Sequence, residues 1–217
     1  MEILSGWYAA YPTWFSLAWL LFAFFCGSLP LSVWIGKLAL GKDVRRYGDG
    51  NPGSSNLARA GGSGWGLAGL LLDVSKAAAP VGLAYNNLGM RGLPMLLIAA
   101  APLVGHAFSP FLRFRGGKAL AVALGVWIGL TLWKVSLPAA GGAALGIALF
   151  SPAGWAVMFA LAVVFVVLVL FQPQPLLFGV LGVQVILLAW KHRADLRRPP
   201  RLRAWLAKRL THARSRA

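Results

Sequence analysis

From Gly154 to Phe171 the chain runs for eighteen residues without a charged, amide or hydroxyl side chain. As a helix this stretch is about 27 Å long, close to the thickness of bilayer hydrocarbon. Several further apolar runs accompany it. A soluble fold would have to bury all of them and would keep almost no polar surface. Hydrophobic residues make up 59% of the 217 and charged residues 12%, about half the charged share of a soluble domain. The fold class expected is all-α: a polytopic integral membrane protein.

Seven transmembrane helices are expected. The first covers Trp14–Leu40, broken by Gly-Ser-Leu-Pro at Gly27–Pro30. The others cover Gly64–Tyr85, Gly92–Ser109, Ala119–Trp133, Val135–Phe150, Gly154–Phe171 and Leu176–Trp190. The fourth and fifth are short and divided only by Trp133-Lys134, so one kinked or re-entrant unit is the alternative there. Irregular backbone at that depth must be buried in protein or line a wet cavity. Residues 1–198 are read as the membrane domain and 199–217 as a basic tail.

The net charge of +16 would suit a nucleic-acid binder, but its distribution argues against one. Ten of the 21 Lys and Arg lie between Lys191 and Arg216, five in Lys37–Arg59 and three in Arg113–Lys118. Only Arg91 and Lys134 flank the other ends of the expected spans, and Lys76 lies within one. Cationic loops stay cytoplasmic, so the N-terminus is expected outside and the C-terminus inside. The stretch Arg201–Arg209, with Trp205, Leu206 and Leu210, reads as a basic amphipathic segment on anionic membrane phospholipids, or as a solvated end. Glu2 and the lack of an early Lys or Arg argue against a secretory leader, so the first apolar segment is read as a retained anchor. Cys26, the single cysteine, allows no internal disulfide.

Two loops carry phosphate-binding chemistry. The first is Gly41–Arg59. Gly48, Gly50 and Gly53 let backbone approach a ligand closely, and Asn51, Ser54, Ser55 and Asn56 add polar side chains. Arg45, Arg46 and Arg59 supply cationic forks. Successive amides there can form an anion nest, and Ser54 or Ser55 is placed to cap a helix running into Arg59. The alternative is a turn-rich connector bearing topology charges. The second loop is Phe111–Lys118. Gly116 and Gly117 precede Lys118 at a helix start, so the amides of Gly117, Lys118 and Ala119 would face an anion with the helix dipole behind them. The alternative is a snorkelling lysine.

Ionisable residues inside spans are costly and therefore informative. Asp73 and Lys76 are three apart on one helix face and are expected to pair. His106 reads as a hydrogen-bonded core residue. His192, just past the last span, is the better functional candidate. No metal-ligand set or nucleophile elbow is apparent, and no cofactor is expected.

Together and in order, these segments resemble the bacterial PlsY family of acyl-phosphate:glycerol-3-phosphate acyltransferases. The resemblance covers Gly27 to Arg198. It rests on Gly27-Ser-Leu-Pro, Asp43–Arg59, Leu70–Lys76, Gly105-His106, Phe114–Ala121 and His192-Arg-Ala-Asp195. It implies seven helices, an outside N-terminus, and acyl transfer from acyl phosphate to glycerol 3-phosphate, giving lysophosphatidic acid for phospholipid synthesis. Asn51, Ser54, Ser55, Asn56 and Arg59 fall on a motif that shapes the phosphate and acyl-donor site. Gly116, Gly117 and Lys118 fall on a phosphate-binding motif, and His192 on one that binds glycerol 3-phosphate.

Three positions depart from the family pattern. Asp49 stands where the family usually has serine, and Asp195 where it usually has asparagine. Ser151 is only a loose match to a serine motif in the loop between the fifth and sixth helices, which is short here. A carboxylate at Asp49 would repel phosphate unless protonated or paired, with Arg45, Arg46 or Arg59 the expected partners. His192 and Asp49 are the candidate general bases, and transfer of the proton to the donor phosphate is the other route. The competing reading is a paralogue with another specificity, or one that binds or transports a lipid phosphate without catalysis.

Overall fold

The structure, a computed structural model, describes residues 2–203 and residue 205; most of the expected amphipathic segment Arg201–Arg209 lies outside the described residues. The chain forms two compact units, Met1–Ser136 and Leu137–Ala217.

The first unit opens with α1 (Glu2–Ala10), α2 (Pro12–Ser28) and α3 (Leu31–Leu40). The expected break in the first span is present: α2 and α3 are bent by 40°. Its cause is local. Pro30 has no N–H to continue the ladder, so Leu29 N–H turns back to Cys26 O at 3.3 Å. The carbonyls stranded at the break are satisfied from other helices. Ser109 Oγ donates to Ser28 O at 2.6 Å, and Lys76 Nζ to Leu29 O at 2.8 Å.

There follow α4 (Ser54–Gly61), α5 (Ser63–Gly82), α6 (Gly92–Ala107) and α7 (Leu120–Thr131). Pro80 sits inside α5, which leaves the α ladder through a π-helical turn at Leu83–Asn87. Small residues let these helices touch backbone to backbone. A Cβ on Gly27 would overlap the Pro102 backbone, and one on Gly125 the Val74 carbonyl. Without a hydrophobic drive between helices in lipid, such close packing holds them together. Met95, Ile98, Leu103, Val126 and Trp127 are buried in this core.

The second unit contains most of α8 (Trp133–Leu149), then α9 (Ala153–Phe171), α10 (Pro175–Lys191) and the short α11 (Arg193–Leu196). A two-residue ladder pairs β1 (Phe150–Ser151) with β2 (Arg201–Leu202), antiparallel.

Among the described residues, three helical stretches are long and apolar enough to cross a bilayer alone: Ser63–Asn87, Gly92–Leu112 and Ala153–Phe171. The bent α2–α3 pair makes a fourth. Leu120–Thr131, Trp133–Leu149 and Pro175–Lys191 are apolar but shorter. The uncertain fourth and fifth stretches resolve into two helices, α7 and α8, with a sharp turn at Leu132 (φ 52°). Lipid-facing positions stay uncovered, as Leu170 and Phe171 on α9 and Ile186 on α10 do.

Candidate active site

The first loop is held against the helices by its own small core. Val44 and Leu57 are fully buried beside Val33 and Ala60, with Ile35, Leu40, Tyr47 and Leu112 around them. Burying Leu57 alone contributes roughly 2 kcal/mol. Lys42 Nζ donates to Ala60 O at 2.8 Å, meeting a carbonyl in the last turn of α4. The Arg45 guanidinium grips Asp43 through Nε at 2.9 Å and Nη2 at 2.7 Å. That bidentate contact holds the Asp43 carboxyl down at about 2. Arg45 is therefore engaged with Asp43 rather than with Asp49.

Within this frame Asn56 organises the glycine-rich turn. It is 1% exposed. Its Nδ2 donates to Asp49 Oδ1 at 3.1 Å and to Asn51 O at 2.9 Å. Its Oδ1 accepts from Arg59 Nη1 at 2.5 Å. Asn51 N–H also reaches Asp49 Oδ1, at 3.2 Å. Gly48 (φ 56°) has a left-handed backbone, and a Cβ there would strike Arg59 and Asn56. Both constraints make it a glycine position. Gly50 is likewise left-handed, with φ 74°, whereas Gly53 is extended. Ser54 and Ser55 do not cap α4. The helix already starts at Ser54, so Gly53 holds the cap position and no side-chain cap bond forms.

The second loop meets the first through the packing of Leu112 and through an ion pair. Lys118 Nζ lies 2.9 Å from Asp49 Oδ2, with the two side chains 33% and 47% exposed. The partner of Asp49 is thus a lysine from the other loop, not Arg45, Arg46 or Arg59 as expected. Arg59 instead donates to Asn56 Oδ1. Partial burial pushes the Asp49 carboxyl up. The hydrogen bond from Lys118 and the Asn51 and Asn56 donors outweigh that and hold it below the usual carboxylate value.

The expected helix-start geometry at Gly117 is also corrected. α7 begins at Leu120, and Ala119 before it is left-handed (φ 63°). The Gly117 N–H is not aimed outward but donates to His106 O at 3.0 Å. Gly116 and Gly117 instead serve close packing. A Cβ on Gly116 would overlap the His106 carbonyl, and one on Gly117 the His106 imidazole. The loop leading there turns through left-handed Arg113 and Phe114. Lys118 remains beside the first loop.

Behind this site the expected Asp73–Lys76 pair is present at 2.7 Å, both side chains 3% exposed. Ser32 Oγ donates to Asp73 Oδ2 at 3.3 Å. Lys76 Nζ is 2.9 Å from His106 Nδ1, so His106 is a hydrogen-bonded core residue, as read. Helical spacing signals the Asp73–Lys76 pair. Nothing in the sequence signals that His106 completes it or seats the glycines.

His192 and Asp195 belong to the second unit. His192 is 4% exposed, and its Nδ1 lies 2.9 Å from Leu188 O. A carbonyl only accepts, so Nδ1 carries a proton. Asp195 Oδ2 accepts the Gly154 N–H at 3.1 Å, satisfying an amide at the start of α9. An acceptor is all that contact needs, and asparagine would supply one. Ser151 lies on β1, opposite Arg201.

The profile of the glycerol-3-phosphate acyltransferase family matches residues 17–200. A glycerol-3-phosphate acyltransferase of Maridesulfovibrio salexigens is 36% identical over 186 residues, covering 83% of this chain and 91% of that protein. One from an Anaeromyxobacter species is 44% identical over 115 residues, 51% of this chain and 56% of that protein. Among solved structures, the integral membrane glycerol 3-phosphate acyltransferase PlsY in its glycerol 3-phosphate form superposes with a TM-score of 0.75 at 29% identity, covering 84% of this chain and 90% of that one. Its lysophosphatidic acid form gives 0.73 at 27% identity, with the same coverage.

Proposed function

We propose, from the premise that the chain belongs to the glycerol-3-phosphate acyltransferase family, that its donor is an acyl phosphate and that the two glycine-rich loops hold the phosphates. Its activity is acyl transfer to glycerol 3-phosphate, giving lysophosphatidic acid in phospholipid synthesis at a membrane. The observation that carries the site assignment is the Lys118–Asp49 contact, because it brings the two candidate phosphate loops together.

In the reaction a glycerol 3-phosphate hydroxyl oxygen attacks the acyl carbonyl carbon. The carbon–oxygen bond to phosphate then breaks and inorganic phosphate leaves. Lys118 and Arg59 stabilise negative charge on the leaving phosphate and the acyl oxygen. Gly48, Gly50, Asn51, Ser54, Ser55, Asn56, Gly116 and Gly117 shape and line the phosphate site. By the family resemblance, His192 and Asp195 of the second unit are assigned to acceptor binding. The hydroxyl proton passes to the donor phosphate. Asp49 is the weaker candidate base, since a carboxyl held below its usual range is far from neutral pH and a poor proton acceptor. Orienting the acceptor hydroxyl against the acyl carbonyl adds rate through proximity.

The positions of the basic residues support seven spans in the plasma membrane (the inner membrane in a Gram-negative cell), the N-terminus outside and the loops facing the cytoplasm. Purified protein given acyl phosphate and glycerol 3-phosphate tests the donor. Lysophosphatidic acid should form, and a thioester of the same acyl chain should not replace acyl phosphate. Turnover with the thioester alone would reject the assignment.

A further inference from the structure

Three buried ionisable residues lie directly behind the second loop and take no part in the reaction as described. The Lys76 ammonium has three N–H donors and three partners: Asp73 Oδ1 at 2.7 Å, Leu29 O at 2.8 Å and His106 Nδ1 at 2.9 Å. With all three donors given away, His106 Nδ1 accepts, and the ring proton sits on Nε2. That nitrogen is the atom a Cβ on Gly117 would strike first. The His106 carbonyl takes the Gly117 N–H at 3.0 Å. His106 therefore holds Gly117 by backbone and by ring, one residue before Lys118. Lys76 fixes that ring, and Asp73, with Ser32 on its other oxygen at 3.3 Å, fixes Lys76.

We propose that Asp73, Lys76 and His106 form a positioning chain that sets the Gly116-Gly117-Lys118 turn, and with it the place of the Lys118 ammonium. The chain ties four parts of the first unit to the turn: the break between α2 and α3, then α3, α5 and α6. A buried ion pair is weak support for stability, because two apolar residues of similar volume often do as well. Holding a ring at one orientation against a glycine is a task such a pair would not share with apolar replacements. The proposal rests on reading Lys118 as the phosphate-binding cation.

The test uses full-length protein in detergent and three variants. Asp73→Leu/Lys76→Met removes both charges together, leaving neither unpaired. His106→Asn keeps an acceptor near Nδ1 for Lys76 but withdraws the ring from Gly117. Lys118→Ala supplies the background for a double-mutant cycle. Thermal melting, kcat and KM for glycerol 3-phosphate, and hydrogen exchange of peptides spanning 113–120 are measured for each. Both network variants should melt near the parent temperature, exchange faster over 113–120 only, and lose roughly ten- to a hundredfold in kcat/KM. The loss should vanish when Lys118 is already alanine.

Parental kinetics and exchange in either variant would overturn the proposal. So would a loss that follows a global fall in melting temperature, or one that adds fully to that of Lys118→Ala, since either marks a merely structural pair. If Lys118→Ala itself keeps full activity, the phosphate-site reading fails. The exchange data then still decide whether the chain positions the turn.

Discussion

Replacing Asp49 by serine isolates the interaction that joins the two loops. In the parent the Asp49 carboxylate lies 2.9 Å from Lys118 Nζ and accepts from Asn51 N–H and Asn56 Nδ2. It thus occupies donors that a substrate phosphate would use, and it adds a negative charge next to that phosphate. Asp49→Ser keeps a small acceptor for the two amide donors and releases the lysine. The pair is well exposed, so solvent screens it, and an exposed pair contributes about 0–1 kcal/mol. Relief of competition for Lys118 should therefore be modest. KM for glycerol 3-phosphate or acyl phosphate should fall by roughly two- to fivefold, since 1.4 kcal/mol is a factor of ten. Steady-state release of phosphate from acyl phosphate, at fixed low ionic strength, measures it; the gain should shrink as salt rises. The pH profile adds a sign. A depressed carboxyl is ionised throughout the neutral range. Its contribution to stability is complete above its usual value of 3.8 and disappears as pH falls through its lower folded value. No activity limb between pH 5 and 8 should therefore belong to Asp49, and the parent and Asp49→Ser profiles should coincide there in shape. A loss of more than about tenfold in kcat/KM with folding intact would refute this account. It would make Asp49 a base or a selector of another acceptor.

Lys118→Ala should abolish or greatly reduce turnover without lowering the melting temperature, and Lys118→Arg should retain only part, because a planar guanidinium does not replace an ammonium in a tight turn; parental kinetics in the alanine variant would show that the lysine merely snorkels. Asp195→Ala should cost about 1 kcal/mol through the lost cap on α9, while Asp195→Asn should melt like the parent. Equal melting of Asp195→Ala and the parent would show the Gly154 contact to be energetically idle. A cysteine introduced at Asn86 should be labelled from outside intact cells and one at Gly50 only after the cytoplasmic side is opened. Labelling of both from one side would reject the orientation.

The apolar runs, the spacing of prolines and the placement of charge are local properties, and they determined the membrane class, the approximate extent of the apolar helices after α1 and the break at Pro30; α1 (Glu2–Ala10) was not expected. Hydropathy averages over a segment and does not depend on which neighbour covers it. The Asp73–Lys76 pair was legible for the same reason, because three residues on a helix are one turn wherever that helix packs. The glycines, amides and cations of the loops are the basis for proposing phosphate chemistry there. Which donor met which acceptor was not legible. Asp49 had arginines close by in sequence, yet it meets Lys118, from a loop beyond α4, α5 and α6. Gly117 looked like an outward-facing helix-start amide, yet it donates to His106. Asp195 stood out as a departure from the family pattern, and its carboxylate accepts an amide of α9. The first two of these pairings follow from how the helices of the first unit cross, which small residues at Gly27, Gly105 and Gly125 make possible. A distance of a few ångströms between loops is decided by that packing, so only the tertiary structure could decide which charges and amides were already satisfied within the protein.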